Sequence, residues 1–123
     1  MILLNDFFKI LDVIKAEQKF TIGVELNPAH EIFQGHFPGN PVVPGVCMVQ
    51  MLKEILKHIF NKDFTMKDAS QLKFLAILNP DEVKALFVEF SVLKDDKDGM
   101  VVSGTFQKAE LVFLKFKGAF IAN

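Results

Sequence analysis

Residues 35–46 combine an ionisable side chain with an unusually restricted backbone. The segment holds His36 together with three prolines and three glycines, and it leads directly into an apolar stretch. Each proline fixes its own φ and biases the preceding residue towards extended geometry, so the segment can adopt few shapes. An imidazole titrates near neutral pH (~6.5) and suits proton transfer. The segment therefore predicts a positioned histidine, although a histidine in a simple tight turn gives the same pattern.

Other reactive side chains carry weaker signals. Cys47 falls in the first turn of the predicted helix, where a thiol can be activated, but a cysteine on an apolar helix usually packs in the core. His30 has no cluster of cysteines or carboxylates at ligand spacing, so we expect no metal site. His58 lies among lysines, and Glu31 precedes the motif; both are expected at the surface.

Length and composition limit the class of protein. The chain has 123 residues, half of them hydrophobic and 14 of them Phe, which predicts a single domain over residues 1–123. Its net charge of -1 with mixed signs argues against nucleic-acid binding. One cysteine fits a reducing compartment. Since the N-terminus lacks a signal-peptide pattern and no apolar stretch is long enough to span a membrane, we expect a soluble cytoplasmic protein.

Hydrophobic periodicity predicts the elements that carry this segment. Residues 8–14 and 19–26 alternate as strands, and an irregular loop is expected from Asn27 to Pro44. Residues 45–60 follow a 3.6-residue repeat that leaves only a narrow polar stripe, which includes Lys53, Glu54 and His58. Asn61 to Asp63 are expected to end this helix. The pattern predicts a helix covered on most of its circumference.

Four further strands are predicted at residues 70–78, 83–93, 100–108 and 111–121, with a turn at 95–99. The C-terminal pair is rich in phenylalanines that should fill the core (Phe106, Phe113, Phe116 and Phe120). An antiparallel sheet buries one face, and the only helix long enough to cover it is the apolar one. The sequence therefore predicts an α+β fold in which an antiparallel sheet curls around one long central helix.

Residues 31–46 strongly resemble the active-site segment of the 3-hydroxyacyl-acyl-carrier-protein dehydratases, hotdog-fold enzymes of fatty acid synthesis. Residues 73–81 are similar to the strand that follows the helix in that family. The resemblance implies a hotdog domain and a homodimer in which two sheets join and each active site lies between subunits. The dimer could stand alone or form part of a higher oligomer. It also implies an acyl thioester on acyl carrier protein as substrate and no cofactor.

The resemblance implies a role for each matching residue. His36 corresponds to the base that removes the C2 proton of the acyl thioester. Gly45 opens the helix, and its amide is expected to polarise the thioester carbonyl. Phe37, Gly39 and Val46 are expected to shape the substrate site, with Gly39 supplying a φ that other residues resist.

One position departs from the family. The family places Glu or Asp five residues after the helix-opening glycine, to protonate the departing hydroxyl, and this chain has Gln50 there. An amide has no acidic proton to give, so Gln50 is expected to orient the hydroxyl. Glu54, one turn further along, could replace the acid, although it also fits the solvated polar stripe. The alternatives are a hotdog thioesterase and a non-catalytic acyl-binding subunit.

Overall fold

The computed structural model describes all residues from Met1 to Asn123. Its elements are β1 (Phe8–Ala16), β2 (Lys19–Leu26), α1 (Ile32–Gly35), α2 (Gly45–Phe60), β3 (Phe64–Phe74), β4 (Ala85–Asp96), β5 (Gly99–Lys108) and β6 (Leu111–Ala122). The six strands form one antiparallel sheet in the order β1-β2-β4-β5-β6-β3. β1 and β3 are its edges. The predicted α+β architecture is confirmed.

The long helix supplies much of the core, as its periodicity predicts. Six of its residues join the one cluster of 27 buried hydrophobic side chains: Cys47, Met48, Met51, Leu52, Ile55 and Leu56. The four phenylalanines of β5 and β6 belong to the same cluster. No buried residue is polar or charged. At its C-terminal end α2 stops at Asn61, which takes a left-handed conformation and donates its N–H to Lys57 O over 2.7 Å.

β1 continues two residues beyond its predicted end, to Ala16, and two other strands differ more from the prediction. β3 was expected at 70–78 but runs from Phe64 to Phe74, because two bulges break the period-two alternation over its first half. Residues 75–78 leave the sheet although they are apolar. Leu78 instead turns into the core, and its carbonyl accepts the Val43 N–H at 2.9 Å. β4 begins later than predicted and continues through polar residues to Asp96, which narrows the turn to two residues.

A short helix interrupts the loop expected between β2 and α2. α1 has only four residues, too few for a periodic pattern to reveal. It ends at His36 and therefore sets the direction in which the chain enters the proline-rich segment. No helix of the protein has the length and apolar character required to cross a lipid bilayer.

Candidate active site

Val42 fixes the ring and the backbone of His36 together. The Val42 N–H donates to His36 O at 2.9 Å, and His36 Nδ1 lies 3.1 Å from Val42 O. Because a carbonyl oxygen can only accept, Nδ1 must carry the proton. In a neutral ring the lone pair then lies on Nε2, which is not the nitrogen held by Val42. The half-buried ring also stacks on Phe37 at 4.2 Å between centroids.

A tight turn from Phe37 to Asn40, between His36 and Val42, gives the loop its shape. Asn40 N–H donates to Phe37 O at 2.9 Å, and Phe37 N–H donates to Asn40 O at 3.2 Å. Pro38 and Gly39 occupy the centre of the turn, and Gly39 has a φ of 74°. Proline followed by a glycine with positive φ is the pattern of a type II turn. Phe37 and Gly39 line an open cleft of about 280 Å³ that also borders His30 and Phe33.

α2 begins with a free amide. Pro44 is its N-cap in extended geometry, and Gly45 is the first helical residue. An N–H at this position has no partner within the helix, and none is supplied from elsewhere in the chain. The side chain of Phe74, at the end of β3, covers the Cα of Gly45 so closely that a Cβ there would lie 2.8 Å from the ring. Sequence reasoning missed Phe74. The neighbouring Val46 is 69% exposed.

Gln50 lies one and a half turns further along α2, beneath the N-terminal segment. Its Nε2 donates to Met1 O at 3.0 Å and to Glu54 Oε2 at 2.8 Å. Both amide hydrogens are thus used, and Oε1 is left as the group with which Gln50 can bind a further molecule. The hydrogen bonds of Gln50 and of His36 share no partner within one chain.

The spacing of Glu54 with Lys53 and His58 predicted a solvated side chain, but the structure shows Glu54 in contact with the N-terminal segment. Its carboxylate accepts the Leu3 N–H at 2.9 and 3.0 Å and the Leu4 N–H at 2.6 Å, in addition to the Gln50 amide. The expectation failed because these donors are about 50 residues away in the chain. Glu54 fastens the N-terminal segment to α2, and every group around it is a donor suited to an ionised carboxylate.

The remaining reactive residues are placed as follows. Cys47 is buried, and this burial raises the pKa of its thiol, which keeps it in the unreactive neutral form. His58 and Glu31 are exposed. His30 is the residue whose environment sequence reasoning underestimated: its side chain is only 10% exposed, and both ring nitrogens have partners.

Comparison with known proteins gives a consistent picture. Residues 12–110 match the model of the ApeI-like family, described as ApeI dehydratase. The 3-hydroxyacyl-acyl-carrier-protein dehydratase FabZ of Levilactobacillus brevis is 30% identical over 90 residues, which cover 68% of this chain and 61% of that protein. The corresponding enzyme of Oenococcus oeni is 32% identical over 96 residues, covering 72% of this chain and 68% of that protein.

Solved structures show the same fold. A chain of the dehydratase heterocomplex ApeI:P from Xenorhabdus doucetiae superposes with a TM-score of 0.73 at 18% identity, covering 91% of this chain and 96% of that one. The conserved protein PA5202 from Pseudomonas aeruginosa gives a TM-score of 0.60 at 12% identity, covering 91% and 87%. The predicted hotdog fold is thereby confirmed. The chain spans about 60% of the length of the first two curated relatives it matches.

Proposed function

The chain belongs to the ApeI-like dehydratase family, and on this basis we propose that it dehydrates 3-hydroxyacyl thioesters carried by an acyl carrier protein. The observation that carries the proposal is the pair of hydrogen bonds between His36 and Val42, which holds the ring through Nδ1–H and leaves Nε2 as the basic nitrogen of a neutral imidazole. An imidazole in this state is ready to accept a proton from carbon. A histidine in an unremarkable turn would not need both its ring and its backbone held.

Gly45 supplies the second part of the proposed site. Removal of the C2 proton moves negative charge onto the thioester oxygen, and a free N–H at the start of a 16-residue helix stabilises charge at that position. A side chain at this residue would meet the ring of Phe74, so the close packing of that ring requires glycine here. Phe37, Gly39 and Val46 are the groups we assign to the binding of the acyl thioester.

Gln50 determines how the hydroxyl leaves. Since both of its N–H groups are used within the chain, its Oε1 can accept the substrate hydroxyl hydrogen but cannot protonate the oxygen. We therefore assign both proton transfers to His36. The C2–H bond breaks and its proton moves to Nε2, the C2=C3 double bond forms as the C3–O bond breaks, and the same proton leaves with the hydroxyl as water. Loss of a separate general acid should lower the rate by ~100- to 10,000-fold relative to family members that have one.

The proposed assembly is a homodimer, with Gln50 of the partner subunit facing His36. β3 is an edge strand with no neighbour on one side, and apolar side chains at its end and beyond are exposed: Leu72, Phe74, Leu75 and Ile77. An unpaired edge with exposed apolar residues favours pairing with another strand. Between α2 and β3 the single chain leaves a cavity of only about 10 Å³, so an acyl chain needs space that a second subunit or a movement of side chains would provide.

The carrier protein is the proposed partner. Lys73 on β3 lies directly opposite Lys115 on β6, and Lys117 is two residues further on the same face. All three are exposed, and the ion pairs of the chain involve other side chains. Like charges directly opposite each other destabilise a sheet, which favours a role in binding an anionic partner. With a carrier protein as partner, we place the protein in the cytoplasm.

Thioester hydrolysis is the second candidate, because an acceptor-only Gln50 could also hold a water molecule. The decisive experiment presents a series of 3-hydroxyacyl carrier proteins of increasing chain length and follows enoyl product and free thiol in the same sample. We expect enoyl product without thiol release, and its loss in His36→Asn. Thiol release without enoyl product identifies a thioesterase. Absence of both, with the protein folded and the acyl chain bound, identifies a non-catalytic subunit.

A further inference from the structure

His30 is a nearly buried histidine that the proposed reaction does not use. It precedes α1, six residues before His36, and its side chain is 10% exposed. Its ring packs edge-on against Phe7 at 5.3 Å between centroids, and Phe7 in turn lies 5.1 Å from Phe33 of α1. The ring therefore sits between the N-terminal segment and the short helix that leads to the candidate base.

The two ring nitrogens of His30 have opposite roles. Ile32 N–H donates to Nδ1 at 3.1 Å, so Nδ1 must be unprotonated. Nε2 then carries the proton and lies 3.2 Å from Asp6 Oδ2, to which it donates. His30 is thus held as the neutral tautomer that is protonated at Nε2.

Ile32 connects this histidine to His36. Its N–H is held by His30, and its carbonyl accepts the His36 N–H at 3.1 Å. α1 has four residues, and Glu31 at its N-cap makes no side-chain hydrogen bond to it. A single turn is too short to be stable alone, so its geometry depends on the packing of Phe33 against Phe7 and on the contacts at its ends. His30 supplies the side-chain contact at one end and His36 lies at the other.

We propose that His30 is a positioning residue for His36 that acts only in its neutral form, so that protonation of His30 in acid releases α1 and withdraws the base. A proton on Nδ1 would place N–H against the Ile32 N–H and remove the only acceptor of that group. The catalytic consequence rests on the proposed function, since it concerns the same His36.

The charged groups around His30 support such a response. Asp6 faces Nε2 from the N-terminal segment, and Asp81 borders the same cleft from the turn before β4. Glu31 is the next residue in the chain. All three are carboxylates, so an imidazolium at His30 would have attractive partners once the Ile32 hydrogen bond is lost.

The test compares the pH dependence of kcat/KM in the natural chain and in His30→Asn. Asparagine keeps an acceptor for the N–H two residues on, as in an Asx turn, but it cannot be protonated. In the natural chain we expect kcat/KM to decrease at low pH with the steepness of two protonations, one on His36 and one on His30. In His30→Asn it should fall with one, whereas His58→Asn, at an exposed histidine, should leave the profile unchanged. An acid limb of the same steepness in all three proteins would overturn the proposal.

A second measurement does not depend on activity. In the natural chain, the protection of the Ile32 and His36 amides against hydrogen exchange, measured relative to the intrinsic rate at each pH, should fall in acid. This loss of protection should disappear in His30→Asn. Nitrogen NMR of the histidines should also show His30 protonated at Nε2 at neutral pH. If these hold while no dehydration is found, the proposed function fails and the positioning contact stands. If His30 proves protonated at Nδ1 at neutral pH, the inference itself fails.

Discussion

The three histidines of the chain differ in which ring nitrogens are free. His30 uses both nitrogens, His58 is exposed on α2, and His36 uses only Nδ1. His36→Asn should preserve the donor to Val42 O while removing the base. We expect dehydration to fall ~100- to 10,000-fold with little change in the unfolding temperature. Initial rates of enoyl formation test this, with His58→Asn as the matched control. Full activity in His36→Asn would exclude His36 as the base.

Gln50→Glu places a carboxylate beside Glu54, where Gln50 now donates a hydrogen bond over 2.8 Å. Two carboxylates that share a site raise the pKa of one of them, so the variant should hold a proton at the family's acid position. We expect the variant to dehydrate the substrate at least ~100-fold faster than the natural chain at the same mildly acidic pH. The gain should shrink as pH rises, because the acid form is then lost. Rates measured across pH test both statements.

The same variant makes a separate prediction about stability. A carboxyl whose pKa in the folded state lies above its unfolded value (~4.3 for Glu) costs nothing below that value and destabilises the fold progressively as pH rises through the folded pKa. Urea denaturation at several pH values measures this, and Gln50→Leu, which adds no charge, serves as control. If Gln50→Glu lowers dehydration at every pH while remaining folded, position 50 does not face the substrate hydroxyl.

Cys47 is predicted to be chemically silent. It is 2% exposed, and burial raises the pKa of its thiol. The neutral thiol is the form the fold favours, so its contribution to stability persists at neutral pH and is lost as pH rises through the raised pKa. We expect negligible alkylation of the folded protein at neutral pH, with rapid alkylation in denaturant. Cys47→Ala should retain activity and lose roughly 1 kcal/mol of stability. Rapid inactivation by an alkylating reagent would contradict this.

At the level of elements, hydrophobic periodicity predicted the bounds of those strands and helices that have a regular local pattern. The bounds of β2 and α2 were correct because each has one buried face and a clear stop, Asn27 after β2 and Asn61 after α2. Bulges hid the first half of β3, and α1 was too short to produce a pattern. The motif identified His36, but the roles of Glu54 and His30 depend on Leu3, Leu4 and Asp6. Contacts across 24 to 51 residues leave no signal in local spacing.

The end of β3 and the start of α2 are coupled through Phe74 and Gly45. In Gly45→Ala the new Cβ would lie 2.8 Å from the Phe74 ring, which is half exposed and must turn away. We expect a loss of about 1 kcal/mol, although alanine otherwise favours a helix. In a Phe74→Ala background the same change should be neutral or stabilising. The double-mutant cycle, measured by denaturation, tests this coupling, and strictly additive effects would show that the ring does not restrict position 45.

At the level of the whole molecule, the proposed carrier protein should use the lysine face. Lys73→Glu, Lys115→Glu and Lys117→Glu combined should lower kcat/KM for carrier-bound substrate by about 10- to 100-fold, with the effect weakening at high salt. A small pantetheine thioester lacks the protein and should react at an unchanged rate, which separates docking from chemistry. The control reverses three exposed lysines elsewhere, Lys62, Lys84 and Lys97, for the same change in net charge. Equal losses in both triple variants would mean that net charge matters and this face does not, whereas an equal loss with the small thioester would place the damage in the active site.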